Sequence, residues 1–188
     1  MAKLDPCWER EDGYVLRQAH AEDVDAYWEG FSEFDPEGAR LTGSKEHYER
    51  DEVTSFFLRC ANDPDRCDLL LVAPEGRIVG ESVINEVDWE ARSANYRIAL
   101  FGPAARGHGL GTWAVETTRD FAFAELGLHR LELDVFSINP RARHVYEKAG
   151  FKVEGVLRDA IWLGDGYCDD VLMAILEDEW RELAGPSL

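Results

Sequence analysis

The stretch ARGHGLGTWAVETTRDFAFAELG, from Ala105 to Gly127, places three glycines at alternate positions and then continues as an amphipathic helix. Glycine has no Cβ, so an anion can approach the backbone amides of such a loop closely. The first amides of a helix have no partner inside the helix, and they lie at the positive end of its dipole. The stretch therefore predicts an anion site, most often one for a phosphate.

Two well-known phosphate loops do not fit this stretch. A P-loop needs a lysine after its last glycine, whereas Thr112 follows Gly111 directly. A dinucleotide loop spaces its glycines as G-x-G-x-x-G and opens the first β–α unit of a domain, whereas this loop lies past the middle of the chain. A glycine-rich turn that only begins a helix is the other alternative.

A second stretch, SINPRARHVYEKAGFKVEG from Ser137 to Gly155, predicts a short helix with clear ends. Asn139 is a good N-cap, Pro140 suits the first helical position, and Gly150 suits the C-terminal end. Tyr146 shares one helical face with apolar residues, so it could be a simple core residue.

Together, the two stretches resemble the GCN5-related N-acetyltransferases (GNAT). In that family a loop of the form R/Q-x-x-G-x-G/A precedes the pattern N-x-x-A-x-x-V/L-Y-E-K-x-G-F. The resemblance covers roughly Tyr14 to Leu176. Its continuation, EGVLRDAIWLGDGYCDDVLMAIL, is similar to the branch that acetylates ribosomal-protein N-termini. The matching positions of the second pattern are Asn139, Ala142, Val145, Tyr146, Glu147, Lys148, Gly150 and Phe151.

The resemblance implies an α/β (α+β) fold of the GNAT type. We expect a mixed, mostly antiparallel seven-stranded sheet, splayed between its fourth and fifth strands and flanked by helices. One domain is expected over residues 13–182, between short tails at 1–12 and 183–188. The alternation of apolar residues predicts strands in YVLRQA, CDLLLVAP, GRIVGESVINEVDW, SANYRIALF, LHRLELDVF, FKVEGVLRDAIWL and YCDDVLMAIL. Helices are predicted in HAEDVDAYWEGF, in Ser44–Asn62 with Ser44 as N-cap, after the glycine loop, and in PRARHVYEKAG.

The composition of the chain limits the kinds of molecule that it is expected to bind. The chain has 188 residues and a net charge of −18, which argues against non-specific binding to nucleic acid or to anionic membranes. The four cysteines form no C-x-x-C pair and have no histidine at zinc-finger spacing, so we expect no metal. The first residues lack the apolar segment of a signal peptide, and a cytoplasmic location is expected.

The resemblance implies acetyl-CoA as the acetyl donor. In this family the loop amides receive the diphosphate, the main chain of one strand pairs with the pantetheine arm, and an asparagine orients the coenzyme. Arg143 would meet a phosphate, although it could equally be a solvated helix charge. The residues expected at the cofactor are Ile98, Ala99, Leu100, Phe101, Arg106, Gly107, His108, Gly109, Leu110, Gly111, Asn139, Arg143 and Tyr146.

The resemblance indicates one residue for the general acid, but it leaves several candidates for the general base. Tyr146 is the expected general acid, because its phenol can protonate the departing thiolate. Many relatives carry an acid where this chain has Asn95, so another group must take the proton of the amine. Glu81 is our candidate, with Glu86 and Asp88 as alternatives; each could instead be an ordinary strand acid.

We therefore expect an N-acetyltransferase that moves the acetyl group of acetyl-CoA directly to a primary amine. The amine could belong to a protein N-terminus, a polyamine or another small molecule, and a homodimer is implied by the resemblance alone. Two rival hypotheses are a catalytically silent CoA-binding sensor and an unrelated nucleotide-phosphate-binding protein.

Overall fold

The computed structural model describes residues 4–33, 35–45 and 47–183, which fold around one sheet flanked by helices. The sheet has eight strands in the order β1-β2-β3-β4-β5-β6-β8-β7. The strands are β1 (Cys7–Glu9), β2 (Val15–Gln18), β3 (Cys67–Val72), β4 (Ile78–Asp88), β5 (Ser93–Leu100), β6 (Arg130–Phe136), β7 (Lys152–Trp162) and β8 (Tyr167–Leu176). The α-helices are α1 (Val24–Phe31), α2 (Pro36–Thr42), α3 (Arg50–Cys60), α4 (Leu110–Ala124), α5 (Pro140–Lys148) and α6 (Glu177–Leu183).

The sheet is mostly antiparallel, and its one parallel pair opens into a split. β5 and β6 pair only over Ser93–Asn95 on β5, although β5 continues to Leu100. The predicted splay between the fourth and fifth strands is confirmed. It lies between β5 and β6 here because one more strand precedes them.

That additional strand corrects the predicted count of seven. β1 pairs antiparallel with β2 and lies inside the stretch 1–12 that we expected to be a tail. Trp8 explains the pairing, because its ring packs edge-on against Phe121 of α4 with centroids 5.3 Å apart. A strand of three residues is too short to show an alternating pattern. Of the two predicted tails, residues 1–3 and 184–188 lie outside the described residues.

The helices cover both faces of the sheet. One face packs against α4 and α5 through a large apolar cluster that includes Tyr96, Phe121 and Tyr146. On the opposite face α1 and α3 bury Tyr27, Phe57 and neighbouring side chains. Within the described part of the chain, no helix is long and apolar enough to cross a membrane.

The region between α1 and α3 differs from the prediction. The predicted helix over Ser44–Asn62 begins only at Arg50, with Glu49 rather than Ser44 as its N-cap. The preceding residues form α2, whose N-cap Asp35 accepts a hydrogen bond from the Gly38 amide at 2.9 Å. The pair Asp35-Pro36 is a recognised helix start, because Asp favours the N-cap and Pro the first helical position, but no helix was predicted there.

Candidate active site

A cleft of about 520 Å³ opens where β5 and β6 separate. Its walls come from β5, the glycine loop and first turn of α4, the end of β6, α5 and α2. A split sheet leaves backbone groups of the two central strands without strand partners, so the cleft offers both apolar walls and hydrogen-bonding edges. Nearly all predicted cofactor residues meet in this cleft: Ile98, Ala99, Leu100, Arg106, Gly107, Gly109, Leu110, Gly111, Asn139 and Tyr146 line it.

The glycine loop has the shape that an anion site needs. Gly107 and Gly109 have φ angles of +87° and +70°, and a Cβ added to either would meet no atom within 4 Å. The Trp113 amide donates to the Gly109 carbonyl at 3.0 Å, and helix geometry leaves the amides before it without intrahelical partners. These amides lie at the positive end of the 15-residue helix α4. The loop therefore fits a diphosphate.

Arg106 lies beside this loop but is already paired. Its Nη2 lies 2.6 Å from Oδ2 of Asp35, and its Nη1 lies 3.6 Å from a Glu37 carboxylate oxygen. Only 17% of the Arg106 side chain is exposed. The ion pair therefore ties the glycine loop to the start of α2, whose Leu41 and Thr42 also line the cleft.

The edge of β5 supplies main-chain groups to the cleft. The Phe101 amide donates to the Val79 carbonyl at 2.8 Å, on the side of β4. Because backbone groups alternate along a strand, the amides and carbonyls of Ile98 and Leu100 point to the other edge, which faces the split. Phe101 itself is buried among aromatic residues on the far face and does not line the cleft.

Asn139 has two roles in the structure. Its Oδ1 accepts a hydrogen bond from the Ala142 amide at 3.1 Å, which caps α5. The same side chain lines the cleft. The capping interpretation and the site interpretation are thus compatible, since the Nδ2 donor is not used by the cap.

Tyr146 lies on α5 against the floor of the cleft. Its side chain is buried, and its ring packs edge-on against Phe151 with centroids 6.0 Å apart. Its hydroxyl forms no hydrogen bond with any described residue. Burial raises the pKa of the Tyr146 phenol above its ordinary value, and the nearby charge of Asp134 adds to the increase. The phenol is therefore protonated throughout the neutral range, and no described side chain engages its hydroxyl.

Besides Phe101, two more of the predicted cofactor residues lie away from the cleft. His108 is exposed at the tip of the glycine loop. The Nε of Arg143 donates to Glu147 at 2.8 Å on the solvent side of α5, which matches the alternative of a solvated helix charge. Arg141, which the sequence analysis did not select, lines the cleft instead.

Glu81 is not in the cleft, and its candidacy as the base is corrected. It is 5% exposed and faces α1, where it accepts hydrogen bonds from the Tyr27 hydroxyl at 2.8 Å and from Arg97 Nη1 at 2.6 Å. Its carboxylate holds Arg97, which does line the cleft, in position. The Glu81 carboxylate is therefore engaged by Tyr27 and Arg97 and does not contact an amine in the cleft.

A carboxylate that the sequence analysis did not select lies in the cleft instead. Asp134 lines it near the end of β6, and its charge acts on Tyr146. The segment LELDVF carried a usable signal, because Asp134 falls on the polar side of a predicted strand that immediately precedes the Tyr146 helix.

Comparisons with known proteins relate the chain to acetyltransferases. A family model described as an acetyltransferase (GNAT) domain matches residues 14–152. A spermidine N(1)-acetyltransferase of Vibrio cholerae is 28% identical over 137 residues, which are 72% of this chain and 79% of that protein. A spermidine N(1)-acetyltransferase of Escherichia coli K12 is 31% identical over 110 residues, which are 58% of this chain and 59% of that protein.

Solved structures share the fold. The crystal structure of a Vibrio cholerae spermidine N-acetyltransferase in complex with CoA and spermine superposes with a TM-score of 0.79 at 23% identity, and covers 89% of this chain and 98% of that one. A dodecameric structure of the Vibrio cholerae enzyme gives a TM-score of 0.74 at 22% identity, over 91% and 98% of the two chains.

Proposed function

The chain belongs to the GNAT acetyltransferase family, and we propose that its acceptor is the primary amine of a polyamine. It is an N-acetyltransferase that takes its acetyl group from acetyl-CoA. One observation carries the proposal for the site: an unbonded, protonated Tyr146 hydroxyl and an amide-rich helix start line the same cleft.

The residues of the cleft divide the work of acetyl transfer. The amides at the start of α4 hold the diphosphate, and the free edge of β5 at Ile98 and Leu100 pairs with the pantetheine arm. Such an edge also offers amide donors to the thioester oxygen as it gains negative charge. Asn139 and Arg141 border the cofactor from α5.

The chemical step is a direct attack. The acceptor ammonium loses one proton, and its nitrogen then bonds to the thioester carbonyl carbon. The carbon–sulfur bond breaks, the nitrogen gives up a second proton, and the CoA thiolate takes a proton from Tyr146. The phenol is then reprotonated from solvent. The net change is one amide and one CoA thiol formed, with one proton released.

The choice of a polyamine acceptor has two supports. Relatives at 28–31% identity are named as spermidine acetyltransferases. The net charge of −18 also attracts a polycation, because a strongly acidic protein raises the local concentration of cationic ligands.

A protein N-terminus is the second candidate. The sequence from Glu154 to Leu176 is similar to the branch that acetylates ribosomal-protein N-termini. An α-amine with a pKa of about 8 loses its proton more easily at neutral pH than an alkyl amine with a pKa of about 10.4.

A turnover assay separates these candidates. Thiol release from acetyl-CoA is measured with spermidine, spermine, an alanine-initiated peptide and an aminoglycoside as acceptors. We expect the highest kcat/KM with spermidine or spermine. A higher value with the peptide would assign the enzyme to the ribosomal-protein type, and binding of CoA without turnover of any amine would favour the silent sensor.

We also propose a cytoplasmic location, because acetyl-CoA is made in that compartment.

The protein is further proposed to form a homodimer. β7 is an edge strand of 11 residues on which Val156, Leu157 and Trp162 are exposed. Such an edge favours association with another chain. Light scattering of the purified protein tests the assembly, and a monomeric mass would contradict it.

A further inference from the structure

Two carboxylates lie on neighbouring strands at the cleft, on the side of β6. Asp134 on β6 pairs in register with Leu172 of β8, and Phe136 pairs with Asp170. Asp134 and Asp170 are therefore diagonal neighbours on one face of the sheet, where side chains lie within about 8 Å of each other. Asp134 and Phe136 line the cleft, whereas Asp170 lies behind them on β8, directly opposite Phe136.

Asp170 is a buried acid with an unsatisfied oxygen. Its side chain is 9% exposed, and its Oδ1 has no hydrogen-bond partner among the described residues. Burial raises the pKa of Asp170, and the charge of Asp134 raises it further, while the Val171 amide acts in the opposite direction. A buried acceptor without a donor is costly to a folded protein, so such a group usually serves a function.

Two arginines on elements that line the cleft are already bound by other acids. Arg97 on β5 is paired with Glu81, and Arg40 on α2 lies 3.1 Å from Asp165. Within residues 4–33, 35–45 and 47–183, neither Asp134 nor Asp170 forms a salt bridge. Tyr146 is the titratable group that faces Asp134 from α5, and its phenol is neutral. Arg141 of α5 also lines the cleft, but within the described residues it forms no salt bridge with either aspartate. A cationic ligand that enters the cleft would therefore meet negative charge that no described side chain neutralises.

We propose that Asp134 and Asp170 together form the site that binds the ammonium group of the acceptor, with Asp134 in contact with the amine and Asp170 as its positioning partner. The inference rests on the proposed function, because the cleft must admit a cationic amine. It names the recognition chemistry: a primary ammonium on a flexible chain, held by two carboxylates beside the Tyr146 hydroxyl. Asp170 acts by placing a second negative charge next to the Asp134 carboxylate, which strengthens the electrostatic attraction for the ammonium group.

The test compares Asp134→Asn and Asp170→Asn with Glu132→Gln. Glu132 is a matched control because it lies on the same face of β6, one residue pair away, where it is exposed and paired with Arg130 at 2.8 Å. We expect each aspartate substitution to raise the spermidine KM about tenfold or more and to leave the acetyl-CoA KM within about twofold, since only the acceptor meets these charges. The control is expected to change neither constant.

Two further readouts separate ammonium binding from a structural role and from the proposed function. Asp170→Asn is expected to raise the melting temperature of the free protein by a few degrees, because it removes an uncompensated buried charge, and Asp170→Glu is expected to restore the spermidine KM. Calorimetric binding of spermidine to the protein saturated with CoA needs no turnover, so it tests the site even if the protein transfers no acetyl group.

Unchanged spermidine binding in both aspartate variants would overturn the inference. A fall in melting temperature with an equal rise in both KM values would overturn it as well, by making Asp170 a structural residue. Weakened binding confined to the aspartate variants would support it, whatever the rate of transfer.

Discussion

At the scale of single residues, Tyr146 is distinguished from the other buried tyrosines by its free hydroxyl. The hydroxyl of Tyr96, whose ring centroid lies 6.5 Å from that of Tyr146, is 2.9 Å from the Ser82 Oγ. Two phenols of the same cluster therefore serve different purposes: one is held in a polar network, and the other is left open to the cleft.

We predict that Tyr146→Phe lowers kcat by about 10²–10⁴ and changes both KM values little, because the proton donor is lost while the ring and its packing stay. Thiol release is measured across the pH range, and the melting temperature is recorded. Tyr96→Phe is the control: it breaks the bond with Ser82 and should lower stability by about 1 kcal/mol. A kcat of Tyr146→Phe within about twofold of the wild type would remove the phenol from the mechanism.

The predicted site residues that line the cleft are mostly those whose positions depend on local geometry. The loop glycines, the N-cap Asn139 and Tyr146 on the same short helix are positioned by residues close to them in the chain. Glu81 does not line the cleft, for the opposite reason. Whether a strand residue faces the cleft or α1 depends on the register between strands far apart in sequence, and an Arg97 partner 16 residues away is invisible to a local pattern.

At the scale of elements, α2 is linked to the cofactor loop through one ion pair. Asp35 both caps α2 and holds Arg106 at 2.6 Å, so Arg106 can turn fully towards a diphosphate only if it weakens its contact with the helix. Because α2 also lines the cleft, its position and cofactor binding are coupled through this residue.

We predict that Asp35→Asn lowers the acetyl-CoA KM about threefold to tenfold. Asparagine keeps the N-cap of α2 but removes the charge that competes for Arg106, which a diphosphate can then bind more fully. Steady-state kinetics with acetyl-CoA as the varied substrate measures the change. Asp165→Asn, which breaks the pair with Arg40 on the same helix, serves as the control and should leave this KM unchanged. A higher acetyl-CoA KM in Asp35→Asn would show that the pair helps binding.

The longer strands were predicted close to their true bounds because each has enough residues to show its period, whereas the helix predicted from Ser44 begins only at Arg50. The elements that were missed, β1, α2 and α6, are short. The three residues of β1 owe their conformation to contacts with α4, the seven of α2 to contacts with β5 and β6, and the seven of α6 to contacts with β8 and α4, which no short window of sequence contains.

At the scale of the whole molecule, several phenols are held in their neutral form. The phenols of Tyr27, Tyr96 and Tyr146 have a pKa above the ordinary value for tyrosine, and burial is the main cause. The charge of Glu81 raises the pKa of Tyr27 further. In the unfolded chain the same groups ionise near pH 10. The folded state therefore binds more protons above that pH, and its stability must fall as the pH rises.

We predict that the free energy of unfolding is unaffected by these three groups below about pH 9 and falls by about 4 kcal/mol per pH unit above pH 10. Urea denaturation at a series of alkaline pH values measures the slope, and tyrosinate absorbance reports the ionisation. In Tyr146→Phe the slope should be about one third smaller. A slope that is the same in both proteins would contradict the raised pKa of this phenol.

The split between β5 and β6 determines where the sheet is expected to open locally. Three residue pairs join the five-stranded part of the sheet to the three-stranded part, so separating the two breaks few interstrand bonds. Local opening should begin there, at a smaller free energy than global unfolding requires. Backbone deuterium uptake would then be fast at Ile98 and Leu100 in the free protein. It would become slow once a bound pantetheine chain occupies that edge, because the donor substrate then pairs with β5 as a neighbouring strand would.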